Sequence, residues 1–351
     1  MTADTGREEE SMVGEGERQD PVRWAILGAA RIAARSFVPG LDAAGGGIAE
    51  VVAGRDPGRT DAFARRHGVR RTAGDYRAAI DDPAVDAVYV PLPNALHARW
   101  TIAALQAGKA VLCEKPLCDD VEQTEQVLAA AAAAERPLWE AFVFPFQSQT
   151  ARVRSLIDDG AIGEIREIHS AFHFDLGDRA DIRFSADLSG GALADVGCYP
   201  VRWARLVFGA EPESAKTSQV LAETGVDAET WGTLDFPGGR RLLFSCSFTK
   251  ARDTTARVLG TAGEMRLTSP FHGGITDTIQ LRRPDGTIVI ERSGEADPPF
   301  TAAIQHIHAV LRGEEAPRHL AVDDAFGNAA ALDAIRRSSA SDGDPVSRPG
   351  S

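Results

Sequence analysis

Short apolar runs alternate with helical stretches between residues 22 and 140, and this alternation constrains the fold more than any other feature of the chain. Val22–Leu27 runs into Gly28. Helix signals follow over 32–41, then the turn Gly45-Gly46-Gly47 and a second apolar run over 48–53. Pro57–His67 reads as a helix, with Pro57 in the first turn, where a missing amide does no harm. Residues 85–90 are almost wholly apolar and lie between Asp82-Pro83 and Pro91, as expected of a strand buried on both faces. A helix over 96–107 stopped by Gly108, a strand over 110–113, a helix over 119–134 and a short strand over 138–141 complete the series. Strand, helix and strand in repetition predict right-handed crossovers and a parallel sheet.

The pattern changes near residue 150. Helices are expected over 150–159 and 192–208, with an alternating strand over 164–175 between them. Strand signals dominate 217–290, punctuated by Pro237-Gly238-Gly239 and Pro284-Asp285-Gly286. Two closing helices are expected over 300–311 and 321–337. The expected division is an acidic, unstructured tail over 1–20, a first domain over 21–142, a second over 143–338 and a loose end over 339–351.

Charge and composition exclude several classes of function. The net charge is −13, of which residues 1–20 carry −5 from seven acids and two arginines. An acidic body argues against nucleic acid as a partner, because phosphate contacts need clustered Lys and Arg. No apolar run approaches the roughly 18 residues of a membrane span. The N-terminus lacks a basic stretch followed by an apolar one, so no secretory leader is expected. The four cysteines, Cys113, Cys118, Cys198 and Cys246, form no C-x-x-C pair. They fit a reduced, cytoplasmic compartment. No metal site is expected from them or from the scattered histidines.

Gly28-Ala29-Ala30-Arg31-Ile32-Ala33 joins the first strand to the first helix and fits G-x-A-x-x-A. In a dinucleotide site, Gly28 would permit the tight turn, Ala30 would let a pyrophosphate approach the backbone, and Ala33 would let the helix pack on the sheet. The helix start adds amide donors and a favourable dipole. The same residues also suit a strand–helix turn with no ligand. At the end of the second strand the first polar side chain is Arg55, with Arg59 a turn later. A guanidinium suits a 2′-phosphate, so NADP(H) is expected in preference to NAD. Asp56, one position on, could instead serve a ribose.

Three further segments arrive together. They are Pro91-Leu92-Pro93-Asn94-Ala95-Leu96-His97, Glu114-Lys115-Pro116-Leu117, and 190–200, reading G-G-A-L-A-D-V-G-C-Y-P. With the glycine turn, they resemble the glucose–fructose oxidoreductase/inositol dehydrogenase/MocA-type oxidoreductase family over roughly 22–338. A Tyr where inositol dehydrogenases carry His is similar to the branch of dimeric dihydrodiol dehydrogenases and NADP-dependent xylose dehydrogenases. The resemblance implies an α/β chain: an N-terminal Rossmann dinucleotide-binding domain, then a C-terminal α/β domain with an open, mostly antiparallel sheet. It implies Lys115 and Tyr199 as the catalytic pair, with Asn94, His97 and Glu114 beside the cofactor. It also implies association of copies as a dimer or tetramer.

The expected reaction is hydride transfer between a nicotinamide and a sugar, polyol or cyclic diol. A side chain must then move the hydroxyl proton. The phenol of Tyr199 can do so, and the Lys115 ammonium would favour its phenolate. Asp195 and Tyr199, four apart, share a helix face. Asp195 could accept from a substrate hydroxyl or from Lys115. Arg183 and Arg202 flank the same segment; either could meet a polar substrate, with Arg183 the candidate contact, but a surface ion pair is the favoured reading for both. The expected cofactor contacts are Gly28, Ala29, Ala30, Arg31, Ile32, Arg55, Pro91, Leu92, Asn94, His97, Glu114 and Lys115. Two other readings remain open on the same fold: a dinucleotide-sensing regulator and a cofactor-dependent glycosidase. The segment 140–148 departs from the family pattern and makes one wall more apolar, which weakens any simple transfer of sugar specificity.

Overall fold

The computed structural model describes residues 20–348 apart from Asp119, Glu295 and Asp342. The acidic tail lies outside the described residues except for Asp20.

Six parallel strands form the first sheet: β1 (Val22–Leu27), β2 (Gly47–Ala53), β3 (Arg71–Ala73), β4 (Ala87–Val90), β5 (Ala110–Cys113) and β6 (Leu138–Glu140). Their order is β3-β2-β1-β4-β5-β6. This is the doubly wound order, and it reverses between β1 and β4. Trp24 and Ile26 of β1 face one layer, Ala25 and Leu27 the other. Helices therefore cover both faces. The first layer holds α1 (Val38–Ala44) and α2 (Pro57–His67). The opposite layer holds α3 (Tyr76–Ile80), α4 (His97–Gln106) and α5 (Val121–Ala134).

The second sheet has nine strands: β7 (Ile165–Asp175), β8 (Ser214–Leu221), β9 (Asp227–Phe236), β10 (Arg240–Ser247), β11 (Thr249–Gly260), β12 (Glu264–Leu267), β13 (Thr278–Arg282), β14 (Ile288–Arg292) and β15 (Val346–Ser347). The order is β14-β13-β12-β11-β7-β10-β9-β8-β15, antiparallel except where β7 meets β10. Leu234, Phe236, Leu242, Phe244 and Cys246 point to one face. There α6 (Ser148–Asp158), α7 (Cys198–Phe208) and α9 (Ala325–Ala340) cover them.

Four details differ from expectation. The helix α8 (Thr301–Leu311) packs in the first layer, where Ile304 and Ile307 join the core of Trp24 and Phe37. Helix 321–337 starts late, as α9, after a single turn over Ala321–Asp323. The end expected to be loose instead pairs Val346 and Ser347 with the free edge of β8. The edge offers unpaired backbone groups that a returning chain can satisfy. Finally, the helices expected over 32–41 and 192–208 both contain a widened π-helical turn, at Ala33–Phe37 and Leu193–Gly197. Each is followed closely by a proline, Pro39 or Pro200. A proline inside a helix has no amide to give and pushes away the carbonyl four residues back, and the wider turn relieves both problems.

Candidate active site

Beyond the end of β5 the segment Glu114-Lys115-Pro116-Leu117 crosses the carboxyl edge of the first sheet, where ligands meet open parallel sheets. It is braced from several sides. The Tyr89 hydroxyl donates to Glu114 Oε1 at 2.7 Å, and the Lys115 amide to Glu114 Oε2 at 3.3 Å. The Leu117 amide donates to Glu140 Oε1 at 2.8 Å. The fully buried His97 ring spans the loops after β4 and β5, with Nδ1 2.8 Å from the Pro116 carbonyl and Nε2 2.8 Å from that of Leu92. Each ring nitrogen faces one of these carbonyls, and a neutral ring donates to one of them at a time. Burial pulls the His97 imidazole toward neutrality and outweighs both carbonyls. Burial likewise raises the carboxyls of Glu114 and Glu140, against the pull of Lys115 and Arg202 respectively.

The start of α7 is fixed by the double glycine. A Cβ at Gly190 would come 2.3 Å from the Arg183 carbonyl oxygen, and one at Gly191 2.2 Å from Asp227 Oδ1. Gly191 also takes φ +115°, a conformation that L side chains avoid. This close approach lets Asp227 Oδ2 accept the Leu193 amide at 2.7 Å and cap the helix start. Asp195 and Tyr199 then project toward Lys115. Lys115 Nζ donates to Asp195 Oδ1 at 2.9 Å and to the Asp195 carbonyl at 2.6 Å. It stands 5.0 Å from the centroid of the Tyr199 ring. Arg183 Nε donates to Asp195 Oδ2 at 2.7 Å. Of the two partners open to Asp195 in the sequence, the structure supplies Lys115.

The electrostatics follow from burial and pairing. Burial opposes charge on Lys115, but Asp195 and then Tyr199 overrule it and raise the ammonium above its ordinary range. Burial opposes charge on Asp195 too, and Lys115 and Arg183 together hold the carboxyl well below the usual carboxylate range. Burial pushes the Tyr199 phenol up, and Lys115 only partly offsets this. The sign expected for Lys115 on Tyr199 is present, but the net shift is upward because desolvation is larger. Burial also raises the Cys198 thiol, which leaves it protonated and unreactive.

The glycine turn meets the same edge. Gly28 has φ +112°, and a Cβ there would come 3.2 Å from Leu92 Cδ2. Ala29 and Ala30 are half-buried, and the first-turn amides that follow have no intrahelical carbonyl to meet. This cradle fits a pyrophosphate. Pro91 and Leu92 are buried behind it, and Ile32 is exposed. Asn94 Nδ2 donates to the Ser189 carbonyl at 2.8 Å and so links the two sheets' loops. Arg31 pairs with Asp181 at 2.7 Å. Arg55 is exposed past the end of β2. Asp56 caps α2, accepting the Arg59 amide at 3.0 Å. Arg202 is not at the surface: it is buried and paired with Asp324. Sequence reasoning missed His272, whose ring lies 5.0 Å from that of Tyr199 and which burial and then Lys115 pull down to about 4. It also missed Asp181. Neither belongs to a spacing pattern that would have singled it out. Among the described residues, no group of three or more His, Cys, Asp and Glu could hold a metal ion, and no helix is long and apolar enough to cross a membrane.

Residues 22–142 match an oxidoreductase family with an NAD-binding Rossmann fold, and residues 150–266 match the GFO/IDH/MocA C-terminal domain. The chain belongs to the Gfo/Idh/MocA oxidoreductase family. It is 34% identical over 326 residues to an uncharacterized oxidoreductase of Rhizobium meliloti, covering 91% of this chain and 97% of that one. It is 35% identical over 293 residues to D-xylose 1-dehydrogenase (NADP(+)) 2 of Haloferax volcanii, covering 83% and 90%. The solved 3-ketoreductase KijD10 of Actinomadura kijaniata, in complex with NADP and TDP-benzene, superposes with a TM-score of 0.84 at 32% identity, covering 90% of this chain and 97% of that one. The protein is thus an NAD(P)-dependent oxidoreductase built on a Rossmann sheet and a larger, mostly antiparallel one.

Proposed function

We propose that this oxidoreductase uses NADP(H) to move a hydride between the nicotinamide and the carbinol or carbonyl carbon of a sugar, polyol or cyclic diol. The observation that carries the reading is Lys115, held by Asp195 against the Tyr199 ring at the carboxyl edge of the parallel sheet, beside the Gly28 cradle. Exposed Arg55, with Asp56 spent on capping α2, supports a 2′-phosphate over a bare ribose. The xylose dehydrogenase and the ketoreductase named above, one NADP-dependent and one solved with NADP, support the cofactor and the sugar-like substrate. That ketoreductase has also been solved as tyrosine and lysine variants, at two positions with the spacing of Lys115 and Tyr199.

The bound nicotinamide would supply or accept the hydride. The chain's own residues handle the proton. With its phenol pushed up, Tyr199 is protonated at neutral pH, so it is ready to donate from its hydroxyl to a carbonyl oxygen. The phenolate left behind is stabilised by Lys115 Nζ, which stands over the Tyr199 ring and which Asp195 keeps charged. Oxidation needs the phenolate first, so it should accelerate as pH rises. Copies would associate through the helix-free face of the second sheet, where Trp231 and Val220 are exposed. The test follows nicotinamide absorbance with NADPH and a panel of aldoses, ketoses and cyclic ketones, with NADH alongside. NADPH consumption that Tyr199→Phe reduces by about 100-fold or more supports the reading. Full activity in that variant would end it.

A further inference from the structure

Arg183 was a candidate substrate contact, yet its side chain is engaged by the protein. Nε holds Asp195 Oδ2 at 2.7 Å, and one terminal nitrogen reaches Asp181 Oδ1 at 3.2 Å. Asp181 in turn accepts Arg31 on its other oxygen at 2.7 Å. Five charges, Arg31, Asp181, Arg183, Asp195 and Lys115, thus run unbroken from the cofactor turn to the lysine. We propose that Arg183 is a positioning residue for Lys115, acting through Asp195 and anchored through Asp181 to the first helix.

The geometry gives it that task. Lys115 is a point charge on a flexible stem, and by itself it would let the Asp195 carboxylate turn. With Oδ1 on Lys115 and Oδ2 on Arg183, the carboxylate has one orientation, and the ammonium one place to stand. The Arg183 fork bridges two carboxylates at once, which a lysine there could not reproduce. Its backbone is also fixed, because the Gly191 amide donates to the Arg183 carbonyl at 2.8 Å. The link therefore moves with the start of the helix that carries Asp195 and Tyr199.

The inference rests on the catalytic reading of Lys115, so its test has an arm that does not need turnover. In the free protein at fixed pH, acetic anhydride labelling of Lys115, followed by mass spectrometry, should quicken several-fold in Arg183→Ala. In NADPH-dependent reduction, Arg183→Ala should lower kcat by about 10-fold to 100-fold. Substrate KM and the NADPH dissociation constant, read by fluorescence, should stay within about 3-fold. Guanidinium at tens of millimolar should restore part of kcat, and Arg183→Lys should not. The acid limb of kcat should move upward, since Asp195 would keep only Lys115 as counter-cation among the groups that face it (Lys115, Glu114, Cys198, Tyr199 and His272). Unchanged labelling overturns the proposal whatever the activity. So does a large rise in KM with kcat intact, which would make Arg183 a substrate contact. A loss of kcat that tracks only the unfolded fraction, with no rescue and no shifted limb, overturns it as well. Faster labelling in a chain whose native form reduces no carbonyl would leave Arg183 as the brace and remove the catalytic reading of Lys115.

Discussion

Asp195→Asn tests the centre of the site most directly. Asparagine keeps the shape but removes the charge, and it turns an amide NH2 toward either Lys115 Nζ or Arg183 Nε. One donor then faces another. Breaking a buried ion pair from one side costs about 3–5 kcal/mol. Asp195 and Lys115 are 17% and 11% exposed, whereas Arg183 is 34% exposed and can turn to water. The lower end applies, about 3 kcal/mol at pH 7. The pH dependence has a definite sign. The folded-state pKa of Asp195 lies below the unfolded value of ~3.9, so its stabilisation is complete above that value and fades as pH falls below it. The folded-state pKa of Lys115 lies above ~10.4, so its share persists to high pH and fades only beyond that. Urea unfolding of both proteins at pH 7 and near pH 3 measures the gap. A gap below about 1 kcal/mol at pH 7, or one that does not narrow in acid, would refute the account of a doubly held, ionised Asp195.

Three other outcomes are expected. Gly28→Val forces a branched side chain into φ +112° and against Leu92, so it should cost about 1–2 kcal/mol in urea unfolding and weaken NADPH binding in a fluorescence titration. His97→Leu removes the one N–H that the neutral ring can donate and leaves a carbonyl, of Pro116 or of Leu92, unpaired in the interior; it should cost about 1–3 kcal/mol and lower the denaturation midpoint accordingly. Arg55→Glu should weaken NADPH binding by at least about 10-fold and leave NADH within a small factor; equal losses for both would take Arg55 away from the 2′-phosphate.

The first sheet was legible because a strand buried on both faces must be apolar throughout, and breakers mark its ends: residues 85–90 between Pro83 and Pro91 are the clearest case. Lys115 and Tyr199 were legible only through the joint occurrence of three motifs, since neither residue alone departs from an ordinary surface lysine or buried tyrosine. What stayed hidden is tertiary. The amphipathic pattern of 301–311 says that one face is buried but not against which sheet, and α8 crosses back to Trp24 and Phe37. Arg183 reads as a surface charge until Asp181 and Asp195 converge on it. His272 sits in a loop with no period at all, and only the fold brings its ring to Tyr199.

The two prolines were in plain view, and their consequence reaches the site itself. In the widened turn before α7 the Cys198 amide meets the Leu193 carbonyl, one residue further back than in an α-helix. The α-helix resumes at Cys198, and Pro200, its third residue, has no amide to give to a carbonyl behind it. Within the widened turn the Asp195 carbonyl accepts Lys115 Nζ at 2.6 Å and the Cys198 thiol at 3.6 Å. The first helix has the same build, with the Val38 amide on the Ala33 carbonyl and Pro39 next in the chain. Both helices that begin at the crevice are therefore widened in their opening turns. The widened turn thus carries the carbonyl that gives Lys115 its second anchor, beside the Asp195 carboxylate.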